Sequence, residues 1–116
     1  MKRILVPIFQ DRVSPVFDSC TRILVIDVQG KREIDREAIY LDSLTIAERV
    51  PILRRLKPSV VICGGISEEM DRILDLLDIH LVQGVAGNVD EVVEAYLLNR
   101  IDDPLYCMPG FRNLSP

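Results

Sequence analysis

The chain has 116 residues, of which 48% are hydrophobic and 28% are charged, and its formal net charge is −4. This length allows one domain with one substantial core, and the acidic balance disfavours nucleic acid as a partner, because phosphate binding needs a surplus of basic residues. No apolar run approaches the length of a membrane span and the N-terminal segment does not read as a signal peptide, so we expect a cytoplasmic protein without a membrane partner.

Three strands are predicted in the first third of the chain. Residues 3–9 are apolar enough for a central strand, and Pro7, which has no N–H group, predicts a bulge or a locally unpaired position within it. A polar loop leads to a second strand over residues 22–28. A hairpin turn around Gly30 then connects it to a third strand over residues 33–41, whose more polar, alternating pattern is typical of a sheet edge.

From Leu44 onward helices alternate with strands. Thr45 and Glu48 are spaced as a capping box, and Pro51 either kinks the first helix or marks its start. The later elements are a buried strand over residues 60–63, a helix over 67–78, a short strand over 79–82 and a helix opening at Asn88.

The order of elements is therefore β-β-β-α-β-α-β-α. Strand–helix–strand units require parallel pairing, and the opening hairpin adds an antiparallel edge. We predict an α/β fold with a ribonuclease-H-like motif, a mixed five-stranded sheet flanked by helices. Residues 1–101 form this single domain, and the turn-rich residues 102–116 form an irregular C-terminal tail.

The stretch over residues 60–69 is the strongest candidate for a ligand site. Its buried strand ends in Cys63-Gly64-Gly65, where the glycines expose backbone N–H groups, and Ser67 can cap the helix that follows. Ligands of open α/β sheets bind beyond the carboxyl ends of the parallel strands. This edge, called the rim below, comprises residues 11–20, 63–65 and 84–88.

The three cysteines form no CxxC pair, which disfavours a zinc ribbon or a redox dithiol. Cys63 and Cys20 should lie at the rim, and each is either a ligand or a small buried hydrophobe. Cys107 and Met108 offer soft sulfur in the tail. His80 begins the last strand, so we place it at the opposite edge in a structural or surface role.

The residues also argue against catalysis. No nucleophile–base pair is evident at the rim, and the first strand carries no acidic residue of the kind a two-metal nuclease needs. We therefore expect a protein that is not an enzyme.

Four stretches carry a resemblance to a known family. They are Val-Ser-Pro-Val-Phe at 13–17 with the strand at 22–27, Val-Ile-Cys-Gly-Gly-Ile-Ser at 61–67, Gly-Val-Ala-Gly-Asn-Val at 84–89 with the helix through Tyr96, and Met-Pro-Gly at 108–110. In this order they resemble the dinitrogenase iron–molybdenum cofactor biosynthesis family, which includes NifX-type nitrogenase accessory proteins and orange-protein-like domains.

The resemblance implies a ribonuclease-H-like fold and a small non-catalytic carrier of a metal–sulfur cluster, either the iron–molybdenum cofactor or a related precursor. It implies a cluster donor or acceptor protein as partner and leaves the oligomeric state open. The alternative is a non-metal module of the same fold that binds another protein, or a small anion at the two helix N-termini. The expected cofactor-binding residues are Ser14, Phe17, Cys20, Cys63, Gly64, Gly65, Gly84, Gly87 and Asn88, and the candidate metal ligands are Cys63, Cys20 and Cys107.

Overall fold

A computed structural model describes residues 1–108. Of the Met-Pro-Gly stretch that contributes to the family resemblance, Pro109 and Gly110 lie outside the described residues. The strands are β1 (Lys2–Phe9), β2 (Arg12–Val13), β3 (Arg22–Gln29), β4 (Arg32–Tyr40), β5 (Val60–Ile62) and β6 (His80–Val82). The helices are α1 (Ile46–Leu56), α2 (Glu68–Leu76) and α3 (Val89–Leu97), followed by a short 3-10 helix at Pro104–Tyr106.

One mixed sheet organises the domain, with the strand order β4-β3-β1-β5-β6 and β2 paired to β1. The β1–β3 and β3–β4 pairs are antiparallel, whereas β1–β5 and β5–β6 are parallel. The predicted α/β architecture and the edge position of β4 are confirmed. The sheet has six strands where the sequence predicts five, because the two residues of β2 are too few to show an alternating pattern.

Pro7 is paired with Ile23 of β3 and lies outside the β2 and β5 pairings on its other side, so it is unpaired on one side only. The register of β1 with β3 continues through the Pro7–Ile23 pair without a shift, so there is no bulge at this point. The carbonyl of Pro7 accepts a hydrogen bond from the Ser14 N–H at 2.8 Å, on the side away from β3. On that side the pairing with β5 ends at Leu5 and the pairing with β2 begins at Ile8. The missing N–H therefore costs the sheet no ladder bond.

Each face of the sheet carries its own hydrophobic cluster, because successive residues of a strand point to opposite faces. On β1, Ile4 and Val6 join the cluster that contains α3, whereas Leu5 joins the cluster that contains α1 and α2. On β5 the same alternation places Cys63, the residue just after the strand, on the side of α1 and α2. Full burial of an aliphatic side chain such as that of Ile4 or Leu5 stabilises the fold by about 1.5–3 kcal/mol.

The helix starts follow the predicted caps. The Thr45 side chain accepts from the Glu48 N–H and the Glu48 side chain accepts from the Thr45 N–H, so the capping box is confirmed. Ser67 caps α2 and Asn88 caps α3. Pro51 lies inside α1, five residues after its start, so the helix does not begin there. None of the described helices is long and apolar enough to cross a bilayer.

The segment after α3 returns to the sheet. The Ala86 N–H donates to the Tyr106 carbonyl and the Met108 N–H donates to the Gly84 carbonyl, both at 2.8 Å. Cys107 forms an antiparallel bridge with Val85. Residues 104–108 therefore lie along the turn that follows β6.

Candidate functional site

Backbone pairing brings the three predicted parts of the rim together. Val16 pairs with Gly65 in a parallel bridge, and Arg12 pairs with Asn88 in an antiparallel bridge. The Gly84 N–H donates to the Gly64 carbonyl at 2.9 Å. The first loop therefore contacts both glycine turns, and the two turns contact each other.

Residues 14–18, called the cover below, lie directly on the Gly64-Gly65 turn. The Gly65 N–H donates to the Pro15 carbonyl at 2.7 Å, and the Phe17 N–H donates to the Gly65 carbonyl at 2.9 Å. A Cβ atom on Gly64 would lie 2.7 Å from the Ser14 carbonyl oxygen and 2.8 Å from that of Pro15. Close approach of the cover explains why residue 64 has no side chain.

Asp18 fixes the far end of the cover to helix α2. One oxygen of its carboxylate accepts from the Ser67 N–H at 2.9 Å, and the other accepts from the Ser67 hydroxyl at 2.5 Å. The Ser67 oxygen in turn accepts from the Met70 N–H at 3.1 Å, which is the helix cap itself. This contact is not predictable from the sequence pattern, because its partners are 49 residues apart.

Cys20, Cys63 and Phe17 belong to one hydrophobic cluster. Cys63 is 0% exposed, Cys20 is 3% exposed and Phe17 is 1% exposed. Loss of solvation on burial raises the pKa of Cys63 to about 12. Burial likewise raises the pKa of Cys20 to about 11, although the nearby Arg49 guanidinium opposes that rise. Both are therefore protonated at neutral pH, whereas a metal ligand must be a thiolate.

Arg49 is a buried residue beside the candidate site that the sequence pattern does not indicate. Its side chain donates to the carbonyl oxygens of Cys20 at 2.7 Å, Leu44 at 3.1 Å and Leu41 at 3.3 Å. One guanidinium nitrogen also lies 3.6 Å from the Cys20 sulfur. Arg49 therefore holds the chain just after the cover against the start of α1. The neighbouring Arg54 and Arg55 are exposed, as expected for the outer face of that helix.

The helix N-termini at the rim already have protein acceptors for several N–H groups. At α2 the N–H groups of Ser67 and Met70 are used in the Asp18–Ser67 contact and the cap. At α3 the N–H groups of Asp90 and Glu91 both donate to the Asn88 side chain. Fewer donors are left for a small anion than the sequence pattern predicts.

The remaining predicted site residues belong to the turn after β6 and to the segment that follows α3. Gly84 and Gly87 have positive φ angles of 76° and 128°, and Gly87 accepts from the Val13 N–H at 2.9 Å. Cys107 is half-buried and follows Tyr106, which packs on the α3 side of the sheet. His80 begins β6 and is exposed, as predicted. Within residues 1–108, no three His, Cys, Asp or Glu side chains are placed to hold a metal ion.

A cleft of about 370 Å³ opens beside the cover. Phe9 and Val16, which are 60% and 43% exposed, form part of its wall together with the hydroxyl-bearing residues Ser14, Ser19 and Thr21. Its remaining lining residues are Ile8, Pro15 and Cys20. The cleft is thus a largely apolar recess next to one of the two buried thiols.

The whole sheet domain, including the rim, matches a known protein family. The model of the dinitrogenase iron-molybdenum cofactor family matches residues 2–99. The chain belongs to this family. The match spans every strand and helix of the sheet domain and confirms the resemblance drawn from the four sequence stretches.

Solved structures share the fold of this family member at low sequence identity. PH0822 is 20% identical with a TM-score of 0.79, over 84% of this chain and 90% of that one. The MJ0327 protein of Methanocaldococcus jannaschii is 17% identical with a TM-score of 0.72, over 84% and 89%. The apo form of the orange protein from Desulfovibrio gigas is 19% identical with a TM-score of 0.71, over 97% of both chains. No curated protein matches the chain.

Proposed function

We propose that this protein is a small carrier that binds a metal–sulfur cluster, the iron–molybdenum cofactor or one of its precursors, as cargo at the rim. It passes this cargo between a donor and an acceptor protein and catalyses no reaction on it. The observation that carries the proposal is the convergence of the loop over residues 11–20, the Cys63-Gly64-Gly65 turn and the Gly84–Asn88 turn in a member of this family.

Cys63 and Cys20 are the proposed ligands of the cargo. They lie in the same hydrophobic cluster, Cys63 just after β5 and Cys20 just before β3, and soft thiolate sulfur suits iron–sulfur and molybdenum–sulfur species. Their burial does not fit a bound cluster in the conformation described, because both thiols are covered and protonated. Binding through them therefore requires a change at the cover.

Cys107 is a third candidate ligand with weaker support. It follows the 3-10 helix at the turn after β6, where its neighbour Tyr106 packs on the α3 side of the sheet. Cys20 and Cys63 belong to the cluster on the opposite side. If the cargo is bound by the pair, replacement of Cys107 should weaken binding less than replacement of Cys63.

The alternative of a small-anion module receives less support from the rim. It needs unused N–H groups at the starts of α2 and α3, and several of these already donate to Asp18, Ser67 and Asn88.

Anaerobic reconstitution with iron, sulfide and molybdate tests the proposal. After desalting, the wild-type protein should be coloured and retain metal in a fixed ratio to protein, measured by elemental analysis. Cys63→Ala should retain at most about a tenth of this metal, because it removes a proposed thiolate ligand. A wild-type protein that stays colourless and metal-free in every such mixture would refute the carrier function.

His80→Ala is the matched control for reconstitution. This residue is exposed at the start of β6, at the edge of the sheet opposite the rim. Its replacement should leave the metal content unchanged. Equal loss of metal in His80→Ala and Cys63→Ala would mean that the metal is not held at the rim.

A further inference from the structure

We propose that residues 14–18 form a cover that must lift before Cys20 and Cys63 become accessible, and that the Asp18–Ser67 contact is the latch that holds it closed. The inference rests on the proposed function, because it explains how two fully buried thiols could receive a cargo. It adds a gating element and two residues, Asp18 and Ser67, for which the family resemblance predicts no role.

The first argument is the position of Phe17. Its ring is 1% exposed and packs in the same cluster as the two thiols, whereas Pro15 and Val16 on the outer side of the segment are exposed. The cover thus contributes one large apolar side chain to the cluster that holds the two thiols, while Pro15 and Val16 face solvent. Lifting this one segment would uncover both sulfur atoms without unpairing β1, β3 or β5.

The second argument is how few contacts close the segment. Two backbone hydrogen bonds join its middle to Gly65, and two hydrogen bonds join the Asp18 carboxylate to Ser67. At its ends, the Ser14 N–H donates to the Pro7 carbonyl and the Phe17 carbonyl accepts from the Cys20 N–H. Asp18 and Ser67 are both only partly buried, so water can replace their hydrogen bonds when they separate. Segments held by few, partly solvated hydrogen bonds open locally at lower free energy than core strands.

The third argument is that both ends of the segment are anchored. Before the cover, the Val13 N–H donates to the Gly87 carbonyl at 2.9 Å and Val13 pairs with Ile8 in the sheet. After it, the Arg49 guanidinium holds the Cys20 carbonyl at 2.7 Å. Anchored ends and a middle closed by few hydrogen bonds are the arrangement of a hinged flap rather than of a frayed loop.

Thiol labelling of the native protein tests the latch without any metal. A Cys107→Ser background limits the reaction with a soluble disulfide reagent to Cys20 and Cys63, which peptide mass spectrometry distinguishes. Asp18→Ala should raise the labelling rate of both thiols by at least about tenfold, since it removes both hydrogen bonds to Ser67. Asp18→Asn, which keeps one acceptor oxygen, should give a smaller increase and serves where Asp18→Ala does not fold.

Asp75→Ala is the matched control, because it removes an exposed carboxylate from the same helix α2 without touching the cover. It should label at the wild-type rate. Amide hydrogen exchange of Leu5 and Val61 in the core strands reports global unfolding in parallel and should not change in Asp18→Ala. Labelling of Asp18→Ala at the wild-type rate, or faster labelling matched by equally faster exchange in these strands, would overturn the latch.

The rate of metal uptake is a second measurement that tests the cover. Asp18→Ala should take up iron, sulfide and molybdate faster than wild type and reach the same final metal content. If wild type takes up no metal while the latch variant still labels faster, the carrier function fails and the cover stands. If wild type loads metal but the Asp18 variants neither label nor load faster, the cover fails and the carrier function stands.

Discussion

At the scale of single residues, Gly64 is a position where the rim leaves no room for a side chain. A Cβ atom there would meet two backbone carbonyl oxygens at 2.7 and 2.8 Å, whereas at Gly65 it would meet one at 3.1 Å. We expect Gly64→Ala to lower the free energy of unfolding by about 1–3 kcal/mol, because the cover must shift to relieve the overlap. Gly65→Ala should cost clearly less. Urea denaturation of both variants provides the comparison, and equal stabilities would contradict the close approach of the cover.

The same site shows which residue-level features the sequence could reveal. Cys63, Gly64 and Gly65 are predictable because a buried strand ending in glycines has a readable pattern. Asp18 and Arg49 are not, because their importance comes from contacts with residues 49 and 29 positions away. The N–H groups of the glycine turn were expected to face a ligand, and one of them instead donates to the cover.

At the scale of elements, the predicted strands and helices agree with the structure wherever hydrophobic period and capping chemistry indicate the same element. The central strands, the edge hairpin and the caps at Thr45, Ser67 and Asn88 all follow from local pattern. The exceptions have local causes. Strand β2 has only two residues, too few to show a hydrophobic period. The sequence around Pro51 is compatible with either a helix start or a kink, and the structure shows that α1 begins at Ile46.

Pro51 makes helix α1 less stable than its sequence otherwise permits. It is exposed and lies inside the helix, where it lacks the N–H that would donate to the carbonyl of Ala47. Pro51→Ala should raise the free energy of unfolding by about 1–3 kcal/mol, since it restores that hydrogen bond and removes the clash of the ring with the preceding turn. Thermal and urea unfolding measure the gain. The exposed position Arg55 gives the control, Arg55→Ala, which should change stability little. A Pro51→Ala protein no more stable than wild type would mean that α1 has adapted fully to the ring.

At the scale of the whole molecule, the Arg3 side chain links two strands of the sheet to the end of helix α1. Arg3 on β1 makes two hydrogen bonds to the Asp27 carboxylate on β3, at 2.8 and 3.1 Å, and donates a third, at 3.0 Å, to the Leu56 carbonyl at the end of α1. The hydrogen bond from Arg3 holds the pKa of Asp27 below its ordinary value of 3.8. A depressed carboxylate pKa stabilises the fold above the unfolded-state pKa, and this stabilisation is lost as the pH falls through the folded-state pKa.

Asp27→Asn should therefore lower the free energy of unfolding by about 1 kcal/mol at neutral pH, a modest value because the Arg3 side chain is 37% exposed. The difference from wild type should shrink as the pH falls below the ordinary carboxylate value, because wild-type Asp27 then becomes protonated and also loses the charged interaction. Urea denaturation of both proteins at neutral and strongly acidic pH gives the two differences. Asp75→Asn, which alters an exposed carboxylate on α2, should show little difference from wild type at either pH. A gap for Asp27→Asn that is the same size at both pH values would show that the charge of Asp27 does not account for the loss of stability.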